Sequence, residues 1–371
     1  MNSLTAFGLI TTIIIVLLGL IFKKSKVITA LQLVWIFILM GLNTGGADFQ
    51  ANQTIFETAT SDYGSLTSGS LYGIVSNFFH VRGLDFISMN LVLNFVTIIV
   101  IYLITRRHTD NRNFALSLFI IFPMFDFIIQ KRAFVAVPFI LLALDSLNSE
   151  NKWKYIYSIA FTFIASQIHT SSFFFFLIIA LYFVYEKVLK KQKKYHNKFY
   201  KIILILVAIL YFSLSSIPGL VEQFAGAGRT ELYLSEGTIS LSSALAWIGI
   251  HIIFVLLHFI IHKNNKETPE KDRKFGDFVL TINIASMILL PLYLYESVFF
   301  RLFKVILILN YMNISSMIIS EDKMSRIKTA VYVLFIFMIF MLIYVWTGLG
   351  FDVLIAPLFE NNIFIQWFLG V

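Results

Sequence analysis

Phe125-Asp126-Phe127-Ile128-Ile129-Gln130-Lys131-Arg132-Ala133-Phe134-Val135 sets two cations between two apolar runs, 114–129 and 133–147. The runs are 16 and 15 residues long. At about 1.5 Å of rise per residue, each covers about 24 Å as a helix. A full crossing of a hydrocarbon core takes roughly 20 residues and about 30 Å. The pair therefore reads as a short hairpin whose apex, Gln130-Lys131-Arg132, lies at or below a membrane surface. A charge at membrane depth costs about 2.5–3.5 kcal/mol or more, so it normally has a partner or a ligand. For two cations that ligand is an anion.

Working outward, the composition places the hairpin in an integral membrane protein. The 371 residues are 58% hydrophobic and only 13% charged, which excludes an ordinary soluble domain. Forty Phe and 16 Tyr suit a lipid-facing surface with interfacial aromatics. With no cysteine, disulfides and thiolate chemistry are excluded. The net charge of +8 does not point to nucleic acid, because the basic residues fall in short loops between apolar runs. Orientation in a membrane accounts for them. The first run, 4–22, is followed rather than preceded by its charges, Lys23, Lys24 and Lys26. It reads as a retained span and not as a cleaved leader.

Twelve apolar runs are present, at about 4–22, 27–42, 86–105, 114–129, 133–147, 155–168, 172–186, 201–217, 241–261, 276–294, 297–318 and 329–347. With 23–26 in the cytoplasm and alternating sides thereafter, the cytoplasmic loops hold 23 of the 29 Lys and Arg, as the positive-inside rule requires. Both termini then lie outside. The expected fold is all-α and polytopic, a single membrane domain over 1–371 with long outer loops at about 43–85, 218–240 and 348–371. Six cations remain on the outer side: Arg82, Lys131, Arg132, Arg229, Arg301 and Lys304.

These six, with their neighbours, supply the candidate site. Arg132 is the first candidate for gripping a phosphate, in the bidentate manner of a guanidinium. Lys131 and Gln130 sit beside it, and two snorkelling side chains on an ordinary loop are the plainer alternative. Arg301 and Lys304 stand three apart at the start of a span and share a helix face. Arg301 is a second phosphate clamp, or it pairs with Glu296. A second short hairpin, 155–167 and 173–185, has His169 at its apex with Thr170, Ser171 and Ser172. His169 is either a satisfied structural histidine or the group that activates or orients a hydroxyl. Arg229 follows Gly226-Ala227-Gly228 between Glu222 and Glu231, where surface pairing competes with substrate binding. Asp48, after Gly45-Gly46-Ala47, can position a sugar hydroxyl. Neighbouring short hairpins opening outward suggest a cavity in the outer half of the membrane, where polar backbone is tolerated. There is no HExxH, no Walker loop, no DxD with a nucleotide-binding domain and no Cys/His metal cluster, so no cofactor is expected.

Four of these features, in this order, resemble the EpsG family of exopolysaccharide polymerases, related to the Wzy polymerases. They are Gly45-Gly46-Ala47-Asp48-Phe49, then Ile129-Gln130-Lys131-Arg132-Ala133, then Ile168-His169-Thr170-Ser171-Ser172, and late in the chain Phe299-Phe300-Arg301-Leu302. The chain departs from the family's usual arginine-glutamine order in the hairpin. The resemblance implies a GT-C-like glycosyltransferase architecture in the bacterial cytoplasmic membrane. It implies joining of oligosaccharide repeat units carried on undecaprenyl pyrophosphate, outside the membrane, with membrane lipids, a chain-length regulator and a flippase as partners. His169, Arg132, Arg301 and Asp48 become the catalytic candidates. Gln130, Lys131, Arg229 and Lys304 become substrate-binding ones. A flippase for the same lipid-linked sugar is a competing reading; it calls for cationic sites towards the midplane. A membrane acyltransferase using His169 is another.

Overall fold

The computed structural model describes residues 2–46, 48–58, 71–189, 195–213, 241–263, 269–295, 299–317, 323–346 and 350–371. Among them there is no strand, only an isolated bridge between Asn43 and Asn362. The outer loop 218–240, with Arg229, and Glu296 lie outside the described residues.

Among the described residues, six helical segments are long and apolar enough to cross a membrane: Ser3–Ile21, Phe86–His108, Thr170–Leu189, Leu241–His262, Glu270–Leu294 and Ile327–Val345. The other runs form shorter or less apolar helices. The first pair of runs keeps its break at Gln130, but its first arm is split. Run 114–129 becomes α6 (Arg112–Ile121) and α7 (Met124–Ile129), broken at Phe122-Pro123, and run 133–147 becomes α8 (Lys131–Asn148). The second hairpin differs. Its first arm is α9 (Lys154–Ile168), but the expected short second arm runs on. A 3-10 turn at Thr170–Phe174 leads into α10 (Phe175–Val184) and a π-helical turn at Tyr185–Leu189. Glu186 makes the extension tolerable. Its carboxylate takes Lys154 Nζ at 2.6 Å and the Tyr155 hydroxyl, so a charge falling inside the helix end is paired rather than stranded.

The chain divides into two compact units, 1–141 with 311–371, and 142–310. In the first, α1 (Ser3–Ile21), α2 (Lys26–Gly41), α5 (Phe86–His108) and α6 pack on one another. A polar knot binds three of them. Asn113, on α6, donates to the carbonyls of Phe22 and Ser25 at 2.6 and 2.8 Å. Gln32, on α2, donates to the Asn113 carbonyl and to Ser117 Oγ, and Ser117 donates to the Val16 carbonyl of α1. Gly19 lets the helices close on this knot, because a Cβ there would run into Gln32 and Ser117. Outside the span, Asp85 caps α5 by accepting from Ser88 N at 2.8 Å, and its bonds to Ser88 hold the carboxyl below the usual range. Two further helices lie within the described parts of the loop 43–85, α3 (Phe49–Thr58) and α4 (Leu71–His80), packed on each other.

In the second unit, α10 packs on α13 (Glu270–Ser286), which also lies against α12 (Leu241–Lys263). Buried amides of Asn283 and Asn310 bond reciprocally at 2.6 and 3.0 Å. His251 is fully buried and satisfied on both ring nitrogens, by Tyr293 and Ser286, each at 2.9 Å. It is a structural histidine stacked on Phe303.

Candidate active site

Each unit holds a pair of the outer cations. In the first, α7 stops at Ile129, and Gln130 separates it from α8, so Lys131 and Arg132 open α8. Lys131 is only 3% exposed. Its Nζ donates to the Asn43 carbonyl at 2.6 Å and stands 4.8 Å from the centre of the Phe49 ring. That carbonyl is held from behind by a clasp between the end of α2 and the C-terminal segment. Asn43 Nδ2 donates to the Leu358 carbonyl and Asn362 Nδ2 to the Ile38 carbonyl, each at 2.9 Å. Thr44 N donates to the Asn361 carbonyl and Ile363 N to the Leu42 carbonyl. Arg132 is half-buried, its guanidinium 6.0 Å from the centre of the Tyr72 ring. Among the described residues neither cation meets a carboxylate. Asp48 is half-exposed at the head of α3, one residue before Phe49. Lys131 is thus the enclosed cation and Arg132 the accessible one.

In the second unit, α9 ends at Ile168, and His169 adopts an extended conformation before the 3-10 turn. Its carbonyl accepts from Ser172 N at 2.9 Å. Arg301 lies in the first turn of α15 (Phe300–Met317) and is 9% exposed. Its Nη1 meets His169 Nε2 at 3.1 Å. A guanidinium has donors only, so Nε2 is the acceptor and the neutral ring carries its proton on Nδ1. Lys304 follows one turn along α15, buried and 5.9 Å over the Phe300 ring. Ring contacts Phe174–Phe299 at 5.4 Å and Trp247–Phe300 at 4.5 Å fix the head of α15.

Of the six outer cations, then, four form these two pairs. Arg82 is absorbed locally, over Phe78 and on the Phe78 carbonyl, and Arg229 is outside the described residues. Among the described residues no group of three or more His, Asp or Glu is gathered as for a metal ion. Chemically, each pair offers positive charge in a place with little water, which suits an oxyanion or phosphate oxygens.

The sequence reading passed over Asn43, Asn52, Tyr72 and Asn77. Asn43 has no local signal, since its role comes from the chain folding back through Asn362. Asn52 and Phe56 are four apart and both buried, a helical spacing that could have disclosed α3.

The family model described as EpsG family matches residues 26–355. No curated protein and no solved structure matches.

Proposed function

The chain belongs to the EpsG family, a Wzy-like polymerase family, and from that premise we propose that it polymerises oligosaccharide repeat units linked to undecaprenyl pyrophosphate. The growing chain passes from its lipid pyrophosphate to a hydroxyl of the incoming unit, on the outer face of the bacterial cytoplasmic membrane. The bond between the anomeric carbon and the pyrophosphate oxygen breaks. A bond from that carbon to the acceptor oxygen forms, the hydroxyl proton passes to a base, and undecaprenyl pyrophosphate leaves. The sugar is already activated, so the residues need only orient it and stabilise the charge growing on the leaving group. Twelve spans in a GT-C-like arrangement, both termini outside, and a flippase and chain-length regulator as partners complete the reading.

The observation that carries it is the state of Lys131 and Arg132. A buried ammonium resting on a backbone carbonyl and an aromatic face, next to a guanidinium over a phenol ring, has no carboxylate to neutralise it among the described residues. A partly buried cation of this kind is stabilised by an anionic ligand. Arg301, held by His169, supplies the same chemistry in the second unit. His169 orients Arg301, and a carboxylate such as Asp48 is the candidate base.

Deleting the gene should abolish polymer and leave single lipid-linked repeat units accumulating on the outer leaflet. Purified protein in proteoliposomes should lengthen those units without nucleotide. Accumulation confined to the inner leaflet would instead mark a flippase, and unchanged polymer would sink the proposal.

A further inference from the structure

Beside the Lys131–Arg132 pair lies a patch that the reaction above does not use. Four aromatic side chains connect it. Phe49, under Lys131, packs on Phe86 at 5.3 Å, Phe86 on Phe56 at 5.7 Å, and Phe56 on the His80 ring at 5.1 Å. Tyr72 joins it through Arg132. The region comprises α3, α4 and the head of α5, with Gln130 at the hairpin break.

Buried polar atoms collect here without hydrogen-bond partners: Asn52 Oδ1, Asn77 Oδ1, Gln130 Oε1, the Tyr72 hydroxyl and His80 Nδ1. Asn52, Tyr72 and Asn77 are 1%, 3% and 4% exposed. Each such atom costs about 1–3 kcal/mol if left unpaired, and native proteins hold only a few per hundred residues. Five of them lie on two short helices and the break before α8.

Their chemistry selects the ligand. Three are amide carbonyl oxygens, which only accept, while the phenol and the imidazole nitrogen can serve either way. The complement is a molecule rich in donors that also presents apolar faces to aromatic rings. A phosphate offers mainly acceptors and belongs with the cations next door. A sugar ring offers hydroxyl donors around its edge and a C–H face for the half-buried Phe49.

We propose that α3 and α4 form a carbohydrate subsite that holds a hydroxylated sugar ring of the repeat unit next to the Lys131–Arg132 pair. This rests on the polymerase reading. It adds that sugar recognition is built into α3 and α4, residues 49–58 and 71–80, and is separate from phosphate binding. The amides and the phenol are retained against stability, because an apolar side chain of the same shape removes the unpaired group.

The test uses the full chain in phosphatidylcholine nanodiscs. The probe is the repeat-unit oligosaccharide released by mild acid from lipid-linked intermediates of the producing cells. Binding is followed by saturation-transfer NMR and by calorimetry. Asn52→Leu, Asn77→Leu and Tyr72→Phe should each weaken oligosaccharide binding by about tenfold or more, the loss of roughly one well-made hydrogen bond to a buried group. They should leave the thermal midpoint unchanged or raised, and leave binding of undecaprenyl pyrophosphate as in wild type. Phosphatidylglycerol, a hydroxylated headgroup, should not compete. Wild-type affinity in all three folded variants, no binding by wild type, or competition by phosphatidylglycerol would each overturn the subsite. If the variants bind poorly while gene deletion leaves polymer intact, the subsite stands and the polymerase reading falls. If deletion abolishes polymer but the variants bind normally, the reverse holds.

Discussion

Arg301 and His169, 132 residues apart in the chain, meet at 3.1 Å with the guanidinium donating to imidazole Nε2. The bond occupies the lone pair through which that nitrogen would take a proton, and it aims a cation that the head of α15 already holds in place. Removing the guanidinium should therefore hurt more than moving its charge onto another stem can repair. Arg301→Ala is expected to cut polymer formation by about 10²–10³-fold, the usual effect of losing a donor to developing negative charge. Arg301→Lys should rescue poorly, because an ammonium lacks the planar fork. Polymer from purified lipid-linked units, with expression matched, is the readout, and normal yield from the alanine variant would remove the clamp.

His169 separates positioning from proton transfer. Glutamine can still accept from Arg301 through its amide oxygen, whereas alanine cannot. His169→Gln should stay within about tenfold of wild type with an unaltered pH profile. His169→Ala should fall by about 10²-fold, what misplacing a reacting group by about 1 Å costs. A glutamine variant as dead as alanine, with wild-type activity falling through about pH 6.5, would restore the base role.

Lys131 and the C-terminal clasp hold the same residue, Asn43: Lys131 donates to its carbonyl, and the Asn43 side-chain amide donates to the Leu358 carbonyl. Lys131→Met leaves the Asn43 carbonyl without its donor, at about 1–3 kcal/mol. Asn362→Ala removes both the bond to Ile38 and the cap on the following helix, Ile363–Leu369, a cap alone being worth about 0.5–2 kcal/mol. The double variant should lose less than the two single losses together, because groups sharing one network are coupled. Thermal midpoints in detergent measure the cycle, and strict additivity would contradict the clasp.

At Gly19 the expected effect is structural only. Gly19→Ala places a methyl group against Gln32 and Ser117, forcing apart α1, α2 and α6. Bonds of this kind between membrane helices average about 0.6 kcal/mol each, but several break together. The variant should show reduced yield and an earlier melting transition while any protein that folds keeps its specific activity.

The absence of cysteine allows single-cysteine mapping. Cysteines at Ser25 and Asn151 should resist an impermeant maleimide in intact cells, and one at Gly83 should react. Labelling at Asn151 without lysis would reverse the orientation.

The helices were readable from the apolar runs because burial in lipid demands length and apolarity, and both are local properties. The break before Lys131 was readable too, since two short apolar runs with a polar Gln130-Lys131-Arg132 between them read as the arms of one hairpin. The enclosure of Lys131 was not, because it depends on Asn43 being carried to α8 by the fold. His169 and Arg301 were each conspicuous as polar residues at run ends, but nothing local joins residues so far apart. α3 stayed hidden because Phe49, Asn52 and Phe56 alternate with polar residues over only ten positions, too short a stretch for periodicity to stand out.

Asn2 Nδ2 donates to Glu360 Oε1 at 2.7 Å, Thr5 Oγ1 reaches the same carboxylate, and Phe7 stacks on Phe368 at 5.1 Å. Asn2 heads the first span, so Glu360 must stand at the same face of the bilayer. The chain between them then crosses an even number of times, whatever the true count and whichever side is outside. Parity becomes a constraint that one hydrogen bond imposes on the whole topology: reporters fused after residue 2 and after residue 360 must give the same signal.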